Sequence, residues 1–256
     1  MTWFLQNISN RIVFAARNPR YACEALAREL ILADERFLAK ITASSPCKLR
    51  GYLDEPTNTE GFAENLRHAR RILRSLSVES ADLFAKKVLN QYAAIRALTP
   101  DVVVETGIAN GVSCAYLLLA LQKNGRGSLH SVGLADRAYL PQGKNLGWVV
   151  PDWLRSAWQI HIGDARDILP DLLRRLGKID VFIHDSLHTY DHMMWEFETA
   201  YPYIQPGGLL LADDACWNDS FRDLARKVSA REAKILRGVG FLRKQDNGHP
   251  SPEPAD

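Results

Sequence analysis

The chain has 256 residues, 46% of them hydrophobic and 24% charged, and 32 basic against 30 acidic side chains leave a net charge of +2. This balance excludes a disordered or collagen-like chain, and it lacks the broad basic field of a nucleic-acid binder. The four cysteines (Cys23, Cys47, Cys114, Cys216) form no Cys-x-x-Cys pair and read as reduced thiols, not as a zinc site or a disulfide frame.

Residues 1–98 read as a helical extension. Trp3, Phe4, Ile8 and Ile12 beside Arg11 and Arg17 make a weakly amphipathic start, expected to serve as a lid or dimer arm. Ala22, Leu26, Leu30, Ala33, Phe37 and Ile41, spaced by three and four, predict a helix over Tyr21–Ala43. Ser44-Ser45-Pro46 and Asp54-Glu55-Pro56-Thr57-Asn58 predict a loop. Helices are expected over Ala63–Leu76, with a solvated basic face (Arg67, Arg70, Arg71, Arg74), and over Ser80–Leu98, stopped by Thr99-Pro100.

The pattern then changes. Strands at Val102–Val104, Ser128–Leu134, Trp158–Ile162, Asp180–His184 and Leu209–Ala212 alternate with helices at Val112–Leu121, Ala165–Leu176, Tyr190–Tyr203 and Phe221–Ala230. Pro206-Gly207-Gly208 is expected to turn into the fifth strand. Short strand candidates near Lys234–Arg237 and Val239–Arg243 are expected to include an antiparallel edge. This alternation predicts an α/β fold, a Rossmann-like doubly wound and mostly parallel sheet covered on both faces, over residues 99–245. Residues 246–256 have the composition of a loose tail. The longest apolar run, Cys114–Leu121, is eight residues, and the N-terminal run Ile12–Ala16 is five residues followed by Arg17 and Arg20. Neither a membrane span nor a secretory signal is expected, so cytoplasm is the expected location.

The first strand runs into Glu105-Thr106-Gly107-Ile108-Ala109-Asn110-Gly111-Val112-Ser113. Small residues at 107, 109 and 111 let a ligand approach the backbone where a helix begins. A dinucleotide fingerprint wants glycine at relative positions 1, 3 and 6, which here are Gly107, Ala109 and Val112, so an NAD-linked oxidoreductase is disfavoured. The pattern E-x-G-x-A-x-G resembles motif I of the class I S-adenosylmethionine-dependent methyltransferases. The resemblance implies that Glu105, Gly107, Ala109, Gly111 and Ser113 hold the methionine end of that cofactor. It also implies that Asp164, in His161-Ile162-Gly163-Asp164, lies beside the adenine, a role compatible with capping the next helix. The family's ribose-binding acid would fall at Gly133, or at Asp136 in the following loop.

The stretch Asp180–Asp191 (DVFIHDSLHTYD) and Pro206–Asp214 (PGGLLLADD) resemble the small-molecule O-methyltransferase branch that includes macrocin-type sugar methyltransferases and cephalosporin-hydroxylase-like proteins. Gly147-Trp148 with Leu154-Arg155 fits the same branch. Asp185, Asp213 and Asp214 all follow strand ends, and three such carboxylates repel one another unless neutralised. A divalent, Mg²⁺-like ion with oxygen ligands is the expected remedy, against the alternative of one helix cap and two solvated acids. His184, His188 and His192 have the spacing of a metal-binding helix face, but His184 belongs to a strand end. His188 is the nearest titratable group to the position of the family's base, and the alternative is that it orients the loop.

The reading is a methyltransferase acting on a small-molecule or sugar hydroxyl, with Asp185 and His188 as catalytic residues and assistance from a divalent cation. Its rivals are a catalytically silent methyltransferase-like binding domain, supported by Gly133, and a nucleic-acid methyltransferase, disfavoured by charge and by the lack of an N/D-P-P-Y/F tetrapeptide. The expected partner is a small-molecule acceptor, without nucleic acid or membrane, and self-association would use the N-terminal helices.

Overall fold

The computed structural model describes residues 33–75, 86–134 and 140–246. Within them, β1 (Val102–Thr106), β2 (Ser128–Gly133), β3 (Trp158–Ile162), β4 (Ile179–His184), β5 (Ile204–Ala212), β6 (Ala233–Leu236) and β7 (Val239–Arg243) form one sheet in the order β3-β2-β1-β4-β5-β7-β6. The first five strands are parallel, and β7 runs antiparallel to both β5 and β6. The central strands β1, β4 and β5 carry apolar residues at successive positions because both sheet faces are covered there, whereas edge strand β3 is mostly exposed beyond Trp158. Val103, Val181, Ile183, Leu209 and Leu211 point into one layer, while Val104, Phe182 and Leu210 point into the other.

The helices divide between these layers. On the first face lie α1 (Pro46–Asn58), α2 (Phe62–Ser75), α3 (Lys86–Leu98) and α4 (Val112–Asn124). On the second lie α5 (Ala165–Leu176), α6 (Tyr190–Ala200) and α7 (Ser220–Lys227). The run Cys114–Leu121 is buried all round, because α4 is enclosed between the sheet and the preceding helices. Tyr116 meets the ring of Phe62 edge-on at 5.2 Å and that of Tyr92 at 6.4 Å. Leu49, Phe62, Leu66, Leu73, Tyr92 and Ile95 therefore share one core with the sheet.

Several expectations need correction. The expected loop after residue 44 is helix α1. Ser45 caps it by accepting the Lys48 N–H at 3.2 Å, Pro46 opens it with its fixed φ, and Leu49 and Tyr52 bury one side. Pro56 falls in its last turn, where a proline stops a helix without interrupting its middle. Strand β5 begins at Ile204, so Pro206-Gly207-Gly208 lies inside it at an irregularity in the β4–β5 register. A Cβ at Gly208 would stand 2.4 Å from the Asp180 carbonyl oxygen, which explains the glycine there. Tyr201–Tyr203 is a 3-10 turn, and α7 is shorter than expected. Residues 33–41 of the first expected helix are helical. The rest of that helix, the amphipathic start and most of the tail lie outside the described residues. Among the described residues no helix is long and apolar enough to cross a membrane.

One polar cluster fastens α1 to α3. The Arg96 guanidinium grips the Glu55 carboxylate from two nitrogens, at 2.7 and 3.0 Å, and the Tyr92 hydroxyl donates to the same carboxylate. Burial alone would raise the Glu55 pKa, but the hydrogen bonds from Arg96 and Tyr92 outweigh it and leave the pKa lowered. This contribution to stability is present above the ordinary carboxylate range and is lost as pH falls through the lowered value. In urea denaturation at neutral pH, Arg96→Met should cost about 2 kcal/mol. That is less than the roughly 3–5 kcal/mol of a fully buried pair, because a quarter of the Glu55 side chain meets water. The difference from wild type should shrink once Glu55 is protonated.

Candidate functional site

The chain passes from β1 outward to β2 and β3 and then returns to β4 on the other side of β1, which makes the β1–β4 boundary the switch point where such sheets bind ligands. Two backbone hydrogen bonds close it: the Gly107 N–H donates to the Val132 carbonyl and the Asp185 N–H to the Thr106 carbonyl, both at 2.8 Å. Gly107 has φ +91°, and a Cβ there would lie 1.7 Å from the Asp185 carbonyl oxygen. Gly111, at φ +82°, starts α4, and a Cβ there would lie 2.7 Å from the Gly147 Cα. Gly147 in turn packs on Trp158, and Arg155 donates to the Gly147 and Val150 carbonyls at 3.0 Å. Ala109 completes the turn with a positive φ of 40°, and its carbonyl accepts the Gly147 N–H.

Beside this turn lies a cavity of about 480 Å³ walled by Gly107, Ile108 and Ala109, by Gly133 and Leu134, by Gly163–Arg166, and by Asp185–Leu187 with Thr189, Asp191 and His192. Asp164 is on the wall and also caps α5 by accepting the Arg166 N–H at 2.8 Å, so its two expected roles are compatible. Glu105 is not on the wall. It is fully buried behind the turn, where it accepts from Ser113 (2.7 Å), Cys114 (2.9 Å) and Ser131 (2.9 Å). Burial raises its pKa, against the opposing effect of these hydrogen bonds. Ser113 is therefore engaged in holding Glu105. At Gly133, on the cavity wall, a Cβ would lie 3.0–3.3 Å from the Ile108 side chain, so a larger residue there requires Ile108 to give way by a few tenths of an ångström. Asp136 lies outside the described residues.

Next to Asp185 the ends of β4 and β5 bring Asp213 and Asp214 close to it, with a cation that sequence reading missed. Lys87, from α3, donates to Asp213 Oδ2 at 2.8 Å and stands 3.8 Å from Asp214 Oδ1. Burial would lower the Lys87 pKa, but the hydrogen bond to Asp213 and the charges of Asp213, Asp214 and Asp185 more than offset it and raise it. Asp185 is pushed well above the usual carboxylate range by burial and then by the charges of Asp213 and Glu105. His188 Nε2 lies 3.8 Å from Asp185 and 3.9 Å from Asp214, and the ring stands behind the wall, not on it. Burial, and then the neighbouring His184, lower its pKa.

The expected ion does not fit this donor set. The ammonium of Lys87 already stands between Asp213 and Asp214, and among the described residues no three His, Cys, Asp or Glu side chains converge to hold a metal. The histidine triplet is also engaged elsewhere. His184 and His192 both bond Glu196, at 2.6 and 3.0 Å, and that buried carboxylate also accepts from Thr106 (2.6 Å) and Ser186 (2.7 Å). Burial would raise the Glu196 pKa, but the bonds from His184 and His192 bring it down to about 2. The helical i,i+4 spacing of His192 and Glu196 was a readable sign of this pair.

Residues 104–215 match the family model described as a methyltransferase domain. A 55-residue segment is 34% identical to the demethylmacrocin O-methyltransferase of Streptomyces fradiae, covering 21% of this chain and only 14% of that relative's length. The S-adenosylhomocysteine-bound methyltransferase PaMTH1 of Podospora anserina aligns with a TM-score of 0.51 at 15% identity, over 77% of this chain and 94% of that one. The O-methyltransferase TomG of Streptomyces achromogenes, involved in tomaymycin synthesis and solved with S-adenosylmethionine, aligns with a TM-score of 0.54 at 18% identity, over 71% of this chain and 90% of that one. At these identities the solved structures share the fold with this chain.

Two outcomes follow from the packing. Gly133→Asp should weaken cofactor-analogue binding instead of restoring a ribose contact, since its Cβ displaces Ile108. In calorimetry the double variant with Ile108→Ala should bind more tightly than Gly133→Asp alone. Glu196→Gln, which faces four donors with an amide, should cost about 3 kcal/mol. The depressed pKa makes the native contribution present above about 4.5 and lost as pH falls toward about 2, so the variant's stability–pH curve should be flatter across that range.

Proposed function

We propose that the chain is a class I S-adenosylmethionine-dependent methyltransferase of the O-methyltransferase branch and that it methylates a hydroxyl group of a small molecule, a reading supported by the methyltransferase-domain match over residues 104–215 and by the shared fold. The observation that carries this reading is one continuous cavity lined by the β1 turn, by Asp164 and by the Asp185 loop. The residues fit the cofactor. Gly107 and Ala109 offer bare backbone, Asp164 offers a carboxylate, and Ile108, Leu134 and Leu146 offer apolar wall. Bound there, S-adenosylmethionine supplies an electrophilic methyl group.

The protein's share is alignment and proton handling. Asp185 is the wall carboxylate beside the acceptor end, and its raised pKa suits it to take and hold the hydroxyl proton. His188, packed against Asp185 and Asp214, orients this loop and keeps its charge balance. Glu105 acts from behind by holding Ser113 and Ser131, and so the shape of the turn. Leu187, exposed on the cavity wall, supplies an apolar edge for the carbon skeleton of a sugar or aromatic acceptor, and the 70% exposed Trp217 packs on the same loop with its ring 5.4 Å from that of His188.

S-adenosylhomocysteine should raise the melting temperature of the purified chain, and NAD should not. Asp164→Ala should reduce the S-adenosylhomocysteine affinity by roughly 10-fold or more, the worth of one charge-assisted hydrogen bond. Asp185→Asn should leave that affinity near wild type and abolish turnover of an accepted hydroxyl compound. Because the deprotonated carboxylate is the base, the wild-type rate should rise with pH through a value above the ordinary carboxylate range. That limb should persist in His188→Ala. No thermal response to S-adenosylhomocysteine would overturn the reading.

A further inference from the structure

We propose that Lys87 takes the place of a divalent cation in the acidic rim, so that the helical extension supplies by a covalently tethered ammonium the charge that the acceptor end of this site requires. The inference rests on the methyltransferase reading for what the rim serves, but its geometry stands apart from it. The ends of β4 and β5 are held together by the Asp213 N–H donating to the His184 carbonyl at 2.8 Å, which forces Asp185, Asp213 and Asp214 into one neighbourhood. Asp214 adopts a left-handed φ of 49° there, a conformation unusual for a residue other than glycine.

Two independent observations point to Lys87 as the built-in cation. The first is its position, 2.8 Å from one aspartate and 3.8 Å from the next, with an electrostatic pull from the third. The second is Asp213 itself. Its side chain is only 9% exposed, and its Oδ1 is buried without a hydrogen-bond partner. Such a carboxylate is costly to keep unless a charge compensates it, and the Lys87 bond to Oδ2 is the one ion pair at hydrogen-bond distance that the described residues give it. A lysine differs from a metal ion in a way that matters for the acceptor. It donates hydrogen bonds but coordinates nothing, so it orders an oxygen and compensates charge without imposing octahedral geometry.

The proposal predicts a latent metal site. With the ammonium removed, the charges of three neighbouring carboxylates are left uncompensated, and a hard divalent cation that draws their side chains together is the simplest group to neutralise them. The test uses the full chain, stripped with chelator and titrated with Mn²⁺ under paramagnetic resonance, with Mg²⁺ thermal shift as a second readout. Wild type should take up no stoichiometric Mn²⁺ at the rim. Lys87→Ala should bind one Mn²⁺ on the order of a hundredfold more tightly than wild type, the scale of removing a nearby unit charge at a partly screened site. Adding Asp214→Asn to that variant should abolish the gain. Lys87→Gln, which preserves more of the side-chain packing, should behave like Lys87→Ala and guards against a folding defect in the latter. Two results overturn the inference: stoichiometric Mn²⁺ binding by wild type that Asp214→Asn removes, or no gain in Mn²⁺ affinity in either folded Lys87 variant. The S-adenosylhomocysteine thermal shift of the same samples separates these results from a failure of the methyltransferase reading, since Lys87, Asp213 and Asp214 do not line the cavity in which that ligand is proposed to bind.

Discussion

Between the ends of β1 and β4 there is no room for a single methyl group. The Gly107 backbone approaches the Asp185 carbonyl so closely that a Cβ would sit 1.7 Å from its oxygen, and the turn reaches this position only through a left-handed φ. This contact decides where other parts of the site stand. It brings the start of the Gly107–Gly111 turn against the first residue of the β4 loop, and the hydrogen bond from Asp185 to Thr106 fixes that pairing. The same contact changes how a bulky substitution at Gly107 must be understood, since the side chain would strike Asp185 before it met any ligand. The turn, the Asp185 loop and the Asp213–Asp214 corner are thus linked by backbone hydrogen bonds across three adjacent parallel strands.

Convergence of strand ends concentrates carboxylates as well as ligand-binding backbone, and the chain neutralises them by different means. Glu105 and Glu196 are buried on either side of the turn and are satisfied by hydroxyl, thiol and imidazole donors. Neither lines the cavity, so both act by holding loops in place. Asp213 is answered by an ammonium. Asp185 is pushed up by burial, has no such partner at hydrogen-bond distance among the described residues and meets the repulsion of its neighbours, so its pKa rises while that of Glu196 falls.

The parallel sheet was legible in the sequence because its signals are local. Apolar runs such as Val102–Val104 and Val181–Ile183 mark strands covered on both faces, and the spacing of the intervening helices fits right-handed crossovers. Helix α1 was misread because Pro46 and Pro56 look like breakers, whereas Pro46 stands at the first helical position, where the missing N–H costs little, and Pro56 falls in the last turn, where the helix is ending. Asp164 and Asp185 could be placed near the cavity because motif and strand end coincide. Lys87 could not, since 126 residues separate it from Asp213 and a lysine on an amphipathic helix resembles any solvated lysine. The metal expectation failed for the same reason: repulsion among the aspartates was correctly inferred, but its remedy came from a distant helix.

That distance bears on what the extension is for. The matched methyltransferase domain starts at residue 104, whereas Lys87 and the core residues Leu49, Phe62, Leu66, Tyr92 and Ile95 precede it. Since these helices share one hydrophobic core with α4 and the sheet, α3 is held against the rim by burial of Tyr92 and Ile95 as well as by the Lys87–Asp213 ion pair. A tethered cation gains from this rigidity, because packing already fixes the helix backbone and leaves only the lysine rotamers to be ordered. It also follows that the charge of the rim can vary with the extension while the fold stays the same: replace one helical residue and the rim carries a different charge, with the Gly107–Gly111 turn untouched. The electrostatics beside the cavity are thus adjustable from outside the sheet, which is why a shared fold does not by itself fix the chemistry at this rim.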